Sequence, residues 1–187
     1  MCIASEVIWK PGKADLEAAK GQTIPDVIVP NLEVLFCGIN PGLYSAAVGH
    51  HFARPGNRFW PALYASGFTD RLMSPFEDTF LPSFGLGLTN LVARGTASAA
   101  ELSAEEIGAG ARKLEEKIRQ FRPARLAVLG VGAYQHAFDE KKVKVGRQEH
   151  DIYGTSVWVL PNPSGLNSHY QVGDIAALLI QLRNDLN

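Results

Sequence analysis

Residues 34–60 read VLFCGINPGLYSAAVGHHFARPGNRFW, a short apolar run followed by a long segment rich in glycine and aromatic residues. The run at 34–38 is continuously apolar and ends at turn residues, which is typical of a strand buried on both faces of a sheet. Behind it, apolar residues at helical spacing follow Asn57, which predicts a helix over 57–68 with Asn57 as its N-cap. A buried strand that leads through a long loop into a helix favours an α/β fold.

The rest of the chain alternates strands with helices in the same way. Strands are predicted at 85–92, 125–130 and 156–161. Helices are predicted from a capping box at Ser103 to Phe121, over 132–140, and at the end of the chain behind a cap at Asp174. Strands separated by segments of helix length predict an α/β protein, a three-layer α/β/α arrangement around a short, mostly parallel central sheet.

The length of the chain predicts one compact domain. At 187 residues it is slightly longer than a typical domain of about 150 residues. We assign residues 26–187 to this domain and residues 1–25 to a polar N-terminal extension, which is weakly patterned and ends near Pro25. We expect the domain to act as a monomer.

Charge and cysteine content narrow the class of protein. Eighteen basic and nineteen acidic residues give a net charge of −1, so a nucleic-acid partner would have to be held by a local basic face. Cys2 and Cys37 form neither a disulfide framework nor a metal-ligand spacing. No apolar stretch has the length of a signal peptide or a membrane span. We therefore expect a cytoplasmic protein without a metal site or a membrane partner.

Two unusual loops directly follow predicted strands, and in an open α/β sheet such loops form the ligand-binding edge. The first, at 38–60, places Asn40 at the tip of its strand between Gly38 and Gly42, glycines that allow close backbone approach. The second, LPNPSGLNSHY at 160–170, contains two prolines that forbid a helix. We predict that the two loops line one pocket.

Each loop also has a simpler interpretation. GINPG at 38–42 and NPSG at 162–165 are compatible with plain tight turns. Phe52, Phe59 and Trp60 are equally compatible with a place in the core. The pocket interpretation depends on the combination of two stiff loops, an asparagine and aromatic residues at adjacent strand ends.

The combination resembles the mismatch-specific uracil/thymine DNA glycosylases of the uracil-DNA glycosylase superfamily. The likeness runs from about Ile24 to the C-terminus, and its order and spacing are those of the family. The motifs that carry it are GINPG (38–42), GHHF (49–52), PGNRFW (55–60), GLTNLV (87–92) and NPSGL (162–166).

The resemblance implies a role for each residue of the predicted pocket. Asn40 would hold the attacking water near the sugar C1′, and Phe52 would stack on the flipped uracil. Backbone amides near Ile39 and Phe52 would contact the base, and Asn90 matches a residue that some relatives use at the base or the water. Ser45 would face the base C5, where its hydroxymethyl group crowds a thymine methyl; some thymine-releasing relatives have alanine here.

The resemblance also implies that the second loop enters the duplex. The residues that would enter are Ser164, Gly165 and Leu166. Leu166 would fill the space left by the extruded nucleotide. The backbone of Gly165 would meet the widowed guanine. Ser168 and His169 lie where some relatives carry a basic residue, so the guanine contact lacks that help.

Phosphates would have to be held by local charge, because the net charge is close to zero. Candidates are Arg54 and Arg58 in the first loop and Arg94 after the TN segment. A second basic group is equally compatible with a plain solvated surface; it consists of Lys141, Lys142, Lys144 and Arg147.

The expected function is that of a mismatch-specific DNA glycosylase. It would flip uracil, preferring U opposite G, out of double-stranded DNA and hydrolyse its N-glycosidic bond, the first step of base excision repair. Extrusion of a nucleotide costs about a few kcal/mol and least at a mismatch. An amide orients water but takes no proton, so Asn40 predicts slow turnover, and no cofactor is needed. The alternative is a non-catalytic α/β module that binds nucleic acid or phosphate through the same loops.

Overall fold

The computed structural model describes residues 9–185; residues 1–8, which include Cys2, and residues 186–187 lie outside the described part. Within it, the chain builds one five-stranded sheet. The strands are β1 (Val34–Gly38), β2 (Leu86–Asn90), β3 (Arg125–Leu129), β4 (Gly146–Ile152) and β5 (Thr155–Leu160). Their order is β2-β1-β3-β5-β4; the first four run parallel, and β4 pairs antiparallel with β5.

Helices cover both faces of this sheet. They are α1 (Lys13–Ala18), α2 (Leu43–Val48), α3 (Phe59–Ala65), α4 (Ala104–Phe121), α5 (Val131–Phe138) and α6 (Val172–Asn184), with 3₁₀ helices at Pro75–Phe84 and Ala99–Glu101. The core against α3 and α6 takes Val34 and Phe36 of β1, whereas the core against α4 and α5 takes Leu35 and Cys37. This alternation confirms the three-layer prediction. Among the helices of residues 9–185, none combines the length and the apolar character that a membrane crossing requires.

The predicted strands and helices are present, but several details differ. β4 was not predicted, because its sequence GRQEHDI is polar and the strand lies at an exposed edge of the sheet. The helix predicted at 57–68 is shorter, and Asn57 accepts the Phe59 N–H from a position one residue before the cap. Asp174 is not the cap of α6: it lies in the first turn and accepts the backbone N–H of Gln171, which is the cap residue.

The first loop is also more ordered than predicted, because α2 forms within it. Gly42 is the N-cap of α2, and a side chain there would meet no neighbour. The close approach predicted for both glycines therefore applies to Gly38 alone, where a Cβ atom would lie 2.5 Å from Oδ1 of Asn90.

The described part of the predicted extension packs against the domain. Ala19 and Ile24 are buried. The N–H of Gly21 donates to the carbonyl of Gly95, whose own N–H donates to Gln22. Residues 9–25 therefore do not form a loose segment, and Ile24 reaches the cleft described below. The boundary at residue 25 stays a prediction.

Helix α4 fixes the end of β2 because one of its glycines lies against the backbone there. A Cβ atom on Gly110 would overlap the carbonyl group of Leu91, the residue that follows Asn90. The same atom on Gly108, in the same helix, would have no neighbour within 4 Å. Gly110 therefore brings α4 close to the strand end that carries Asn90.

Gly110→Ala is expected to lower the free energy of unfolding by about 1–3 kcal/mol, because overpacking displaces either α4 or the strand end. Gly108→Ala is the matched control, expected to leave stability unchanged or to raise it by up to about 1 kcal/mol through better helix propensity. Urea unfolding followed by circular dichroism measures both variants. Equal stability of the two variants would contradict the close approach.

Candidate functional site

A cleft of about 480 Å³ opens at the carboxyl ends of the four parallel strands. Both predicted loops line it, as the sequence analysis anticipated. Of the predicted site residues, the cleft brings together Ile39, Asn40, Ser45, Phe52, Arg54, Asn90, Ser164 and Leu166. Gly165 and Arg58 line a smaller adjoining cavity of about 270 Å³, and Arg94 lines neither.

The amide of Asn40 is held by three oxygen acceptors. Its Nδ2 donates to Oγ1 of Thr96 at 2.7 Å and to the carbonyls of Pro41 and Arg94 at 3.1 Å each. Thr96 gives its own hydroxyl proton to the carbonyl of Ser98 at 2.9 Å, so its oxygen is free to accept from Asn40. All the acceptors therefore lie on the nitrogen side of the amide. Oδ1 remains without a donor among residues 9–185, on a residue that lines the cleft.

The amide of Asn90 is oriented through a buried histidine. Nε2 of His51 lies 3.0 Å from the carbonyl of Pro25, and a carbonyl can only accept, so Nε2 carries the proton. Burial lowers the pKa of His51, which favours the neutral ring. Nδ1 is then an acceptor, and Nδ2 of Asn90 donates to it at 3.4 Å. This arrangement leaves Oδ1 of Asn90 on the side of Gly38.

Phe52 has a strained backbone that serves the site. Its φ of +53° lies in the left-handed region, which non-glycine residues rarely adopt. One face of its ring stacks on Phe59, with centroids 4.4 Å apart, while the side chain also lines the cleft. Its backbone N–H has no acceptor in the described part of the chain. Phe52 can therefore offer a base both an aromatic surface and a hydrogen-bond donor.

The segment around Phe52 is anchored from several elements. Asp78 of the 3₁₀ helix is buried and accepts from Nδ1 of His50 at 2.9 Å and from the backbone N–H of His51 at 3.0 Å. Trp60 donates its indole N–H to the carbonyl of His51. The hydroxyl oxygen of Ser45 accepts the N–H of Ala53 at 3.0 Å. These contacts hold the backbone in the conformation that presents Phe52.

The three arginines predicted at phosphates have different surroundings. Arg54 is exposed at the cleft and has no acidic partner among the described residues. Arg94 forms a bidentate ion pair with Glu106, with Nε 2.6 Å from Oε1 and Nη2 3.0 Å from Oε2. This pairing lowers the pKa of Glu106 to about 2. The side chain of Arg58 donates to two carbonyls of the second loop. Arg54 therefore keeps its charge unpaired at the cleft, whereas the side chains of Arg58 and Arg94 already bind protein groups.

The second basic group lies near the same edge of the sheet. β4 begins opposite Val159, close to the carboxyl end of β5, and the lysines come just before it. All four side chains are exposed, and Arg147 pairs with Asp185 at 3.6 Å. The lysines, which have no acidic partner among the described residues, are Lys141, Lys142 and Lys144.

The tip of the second loop projects from the protein. Leu166 is 77% exposed, the largest exposure among the exposed large apolar side chains in the described part of the chain. Ser164 is half-buried and its N–H is bound to Oδ1 of Asn162. The loop therefore offers an apolar tip on a backbone that is already hydrogen-bonded.

Sequence reasoning missed three residues that organise the cleft: Thr96, His51 and Asp78. Each acts on a residue far away along the chain. Thr96 lies 56 positions from Asn40, and His51 lies 39 positions from Asn90. Such contacts leave no local pattern, and the adjacent histidines 50 and 51 carried the only signal.

Comparison with known proteins identifies the fold and the family. Residues 25–186 match the family model of the uracil DNA glycosylase superfamily. The chain belongs to this superfamily. A solved structure from Methanosarcina acetivorans, determined in solution by NMR and provisionally assigned as a uracil DNA glycosylase, has the same fold. It is 19% identical, with a TM-score of 0.57 over 87% of this chain and 98% of that one.

Membership of the superfamily makes the protein a DNA glycosylase and so an enzyme that acts on DNA. This sets aside the alternative of a non-catalytic binding module. The GINPG and NPSGL motifs of the superfamily resemblance are the two loops that line the cleft.

The buried neutral ring of His51 predicts a pH dependence of stability. The folded state resists protonation of this ring and the unfolded state does not, so acidification below about pH 6.5 favours unfolding. Unfolding by urea at pH 7.5 and pH 5.5 measures the loss, which should be smaller in His51→Gln than in the wild type. The matched control is the same substitution at the exposed His136. An identical loss in the two variants would show that His51 is not the responsible group.

Proposed function

We propose that this glycosylase releases uracil from duplex DNA, preferring U opposite G, with a water molecule positioned by Asn40. The observation that carries the proposal is the amide of Asn40, whose nitrogen is bound to three oxygens. Its Oδ1 is thereby directed to accept from a water in the cleft. A preorganised acceptor of this kind places the nucleophile without reorganisation during the reaction.

The reaction requires that the bond between the sugar C1′ and the uracil N1 breaks while water oxygen bonds to C1′. The bonding electrons leave with the base, so negative charge develops on uracil as the sugar becomes oxocarbenium-like. The unpaired N–H of Phe52 is suited to stabilise that charge, because a donor acts more strongly once bound DNA has excluded water from the cleft. The ring of Phe52 offers the stacking surface for the flipped base.

Asn40 positions the attacking water but does not accept its proton. An amide is not a base at neutral pH, so the water proton passes to solvent or to the departing base after the bond has largely broken. This favours slow turnover in comparison with a site that holds a carboxylate at the same place.

Discrimination against thymine is assigned to Ser45. Its hydroxyl oxygen is fixed by the N–H of Ala53, and the buried side chain lines the cleft. A fixed hydroxymethyl group cannot turn aside for the methyl group at C5 of thymine. The preference for guanine opposite the uracil is assigned to the backbone of Gly165, while Leu166 replaces the lost stacking. The protein is proposed to do this as a monomer on double-stranded DNA.

Single-turnover release of uracil from a U·G duplex, with U·A, T·G and single-stranded uracil alongside, tests the proposal. Asn40→Ala is expected to lower release by at least about 100-fold, because the water loses its position. Asn184→Ala, at the exposed end of α6, is the matched control and should be as active as the wild type. Release that survives in Asn40→Ala would remove the role of the asparagine, and release from no substrate would remove the function.

Ser45→Ala is expected to raise the ratio of thymine to uracil release roughly tenfold, because one removed atom makes room for the methyl group. Ser45→Thr is the opposing variant, since its added methyl narrows the cleft and should lower the ratio. The measurement is single-turnover release from T·G and U·G duplexes. An unchanged ratio in both variants would show that discrimination lies elsewhere.

A further inference from the structure

The tip of the second loop is a turn whose two ends are held by one arginine. In the turn Ser164–Asn167, the N–H of Asn167 donates to the carbonyl of Ser164 at 2.9 Å, and Leu166 is the third residue. Nη1 of Arg58 donates to the carbonyl of Ser164 at 3.0 Å and to that of Asn167 at 2.6 Å. The guanidinium therefore closes the base of the turn from outside.

The two loops also touch along their backbones. The N–H of Arg58 donates to the carbonyl of Pro163 at 2.8 Å. A Cβ atom on Gly165 would lie 2.7 Å from the carbonyl oxygen of Gly56, so glycine is required for this approach. Other hydrogen bonds of the turn, from Ser164 and Asn167 to Asn162, stay within the second loop and do not fix its position relative to the cleft.

The contacts of Arg58 continue into the base-binding side of the cleft. The next residue, Phe59, is buried in the core and stacks on Phe52. The apolar tip at Leu166 and the aromatic surface at Phe52 are thus connected through two adjacent residues, Arg58 and Phe59. A displacement of the turn would have to break the contacts of Arg58.

We propose that Arg58 is a positioning residue that holds Leu166 at a fixed distance from Phe52 in the base-binding cleft, and that it does not serve as a phosphate ligand. The inference rests on the proposed function, in which Leu166 enters the duplex. Extrusion of a nucleotide is unfavourable, and a preorganised tip can fill the vacated space without first becoming ordered. Two carbonyls on one nitrogen suit the planar guanidinium, whereas the ammonium of lysine is a point charge with different geometry.

Two DNA duplexes, one with a partner base opposite the uracil and one without, separate a positioning role of Arg58 from a general structural role. One duplex carries uracil opposite guanine; the other carries uracil opposite an abasic-site analogue, where little stacking has to be replaced. Arg58→Ala is expected to lower single-turnover release about tenfold or more on the first duplex, since charge-assisted hydrogen bonds are lost. On the second duplex it should stay within about threefold of the wild type, because less stacking is lost on extrusion.

Four further variants complete the design. Leu166→Ala should show the same selective loss, and the double variant should be no slower than the slower single variant, because both act on one step. Arg58→Lys should lie between Arg58→Ala and the wild type. Arg112→Ala removes an exposed arginine of α4 as a control for charge and should behave as the wild type. Thermal unfolding of each variant shows whether it is folded.

The outcomes that overturn the proposal are distinct. If Arg58→Ala lowers the rate of uracil release equally on both duplexes, Arg58 has a general structural role. If low salt restores the rate of the variant, Arg58 contacts a phosphate. If the wild type releases no uracil, the proposed function fails; Arg58 is then tested by the fluorescence of 2-aminopurine beside the target nucleotide. A rise with the wild type that is smaller with Arg58→Ala supports the positioning role. No rise with the wild type, or an equal rise with both, overturns it.

Discussion

The site depends on the absence of a side chain at the end of β1. Gly38 ends a strand whose two faces are both buried, and Oδ1 of Asn90 occupies the space that a Cβ atom would fill. The ring of Phe52 approaches the same point, at 3.4 Å. Residues from β1, β2 and the first loop can therefore meet at one strand end, directly before Ile39 and Asn40.

Around that point, the polar side chains of the cleft are oriented by hydrogen bonds to neutral groups. Asn40 is set by oxygens of three residues, Asn90 by a neutral imidazole, and Ser45 by a backbone N–H. The buried carboxylate of Asp78 lies one step away, where it fixes backbone and does not line the cleft. Fixed dipoles stabilise developing charge without competing ion pairs, which suits the proposed reaction, in which charge would appear on a leaving base.

The predictable parts of the molecule are those in which local pattern and burial agree. β1, β3 and β5 are buried on both faces and read as continuous apolar runs, so they were found, whereas the polar edge strand β4 was not. Family motifs located Asn40 and Leu166. The contacts of Arg58 and Arg94 could not be predicted from the sequence. The sequence shows that both residues are charged, but the carbonyls and the carboxylate that bind them belong to other segments of the chain. Thr96 and His51 were missed for the same reason.

The buried thiol of Cys37 has a practical consequence for the study of the second loop, at 160–170. The side chain is fully enclosed in β1, and burial raises its pKa to about 12, so it remains a protonated, shielded thiol at neutral pH. Maleimide dyes react with exposed thiolates. Once Cys2 is replaced by serine, a cysteine introduced at the exposed position 168 can carry a fluorophore alone. The native strand needs no alteration, and the label reports directly on the movement of the loop beside DNA.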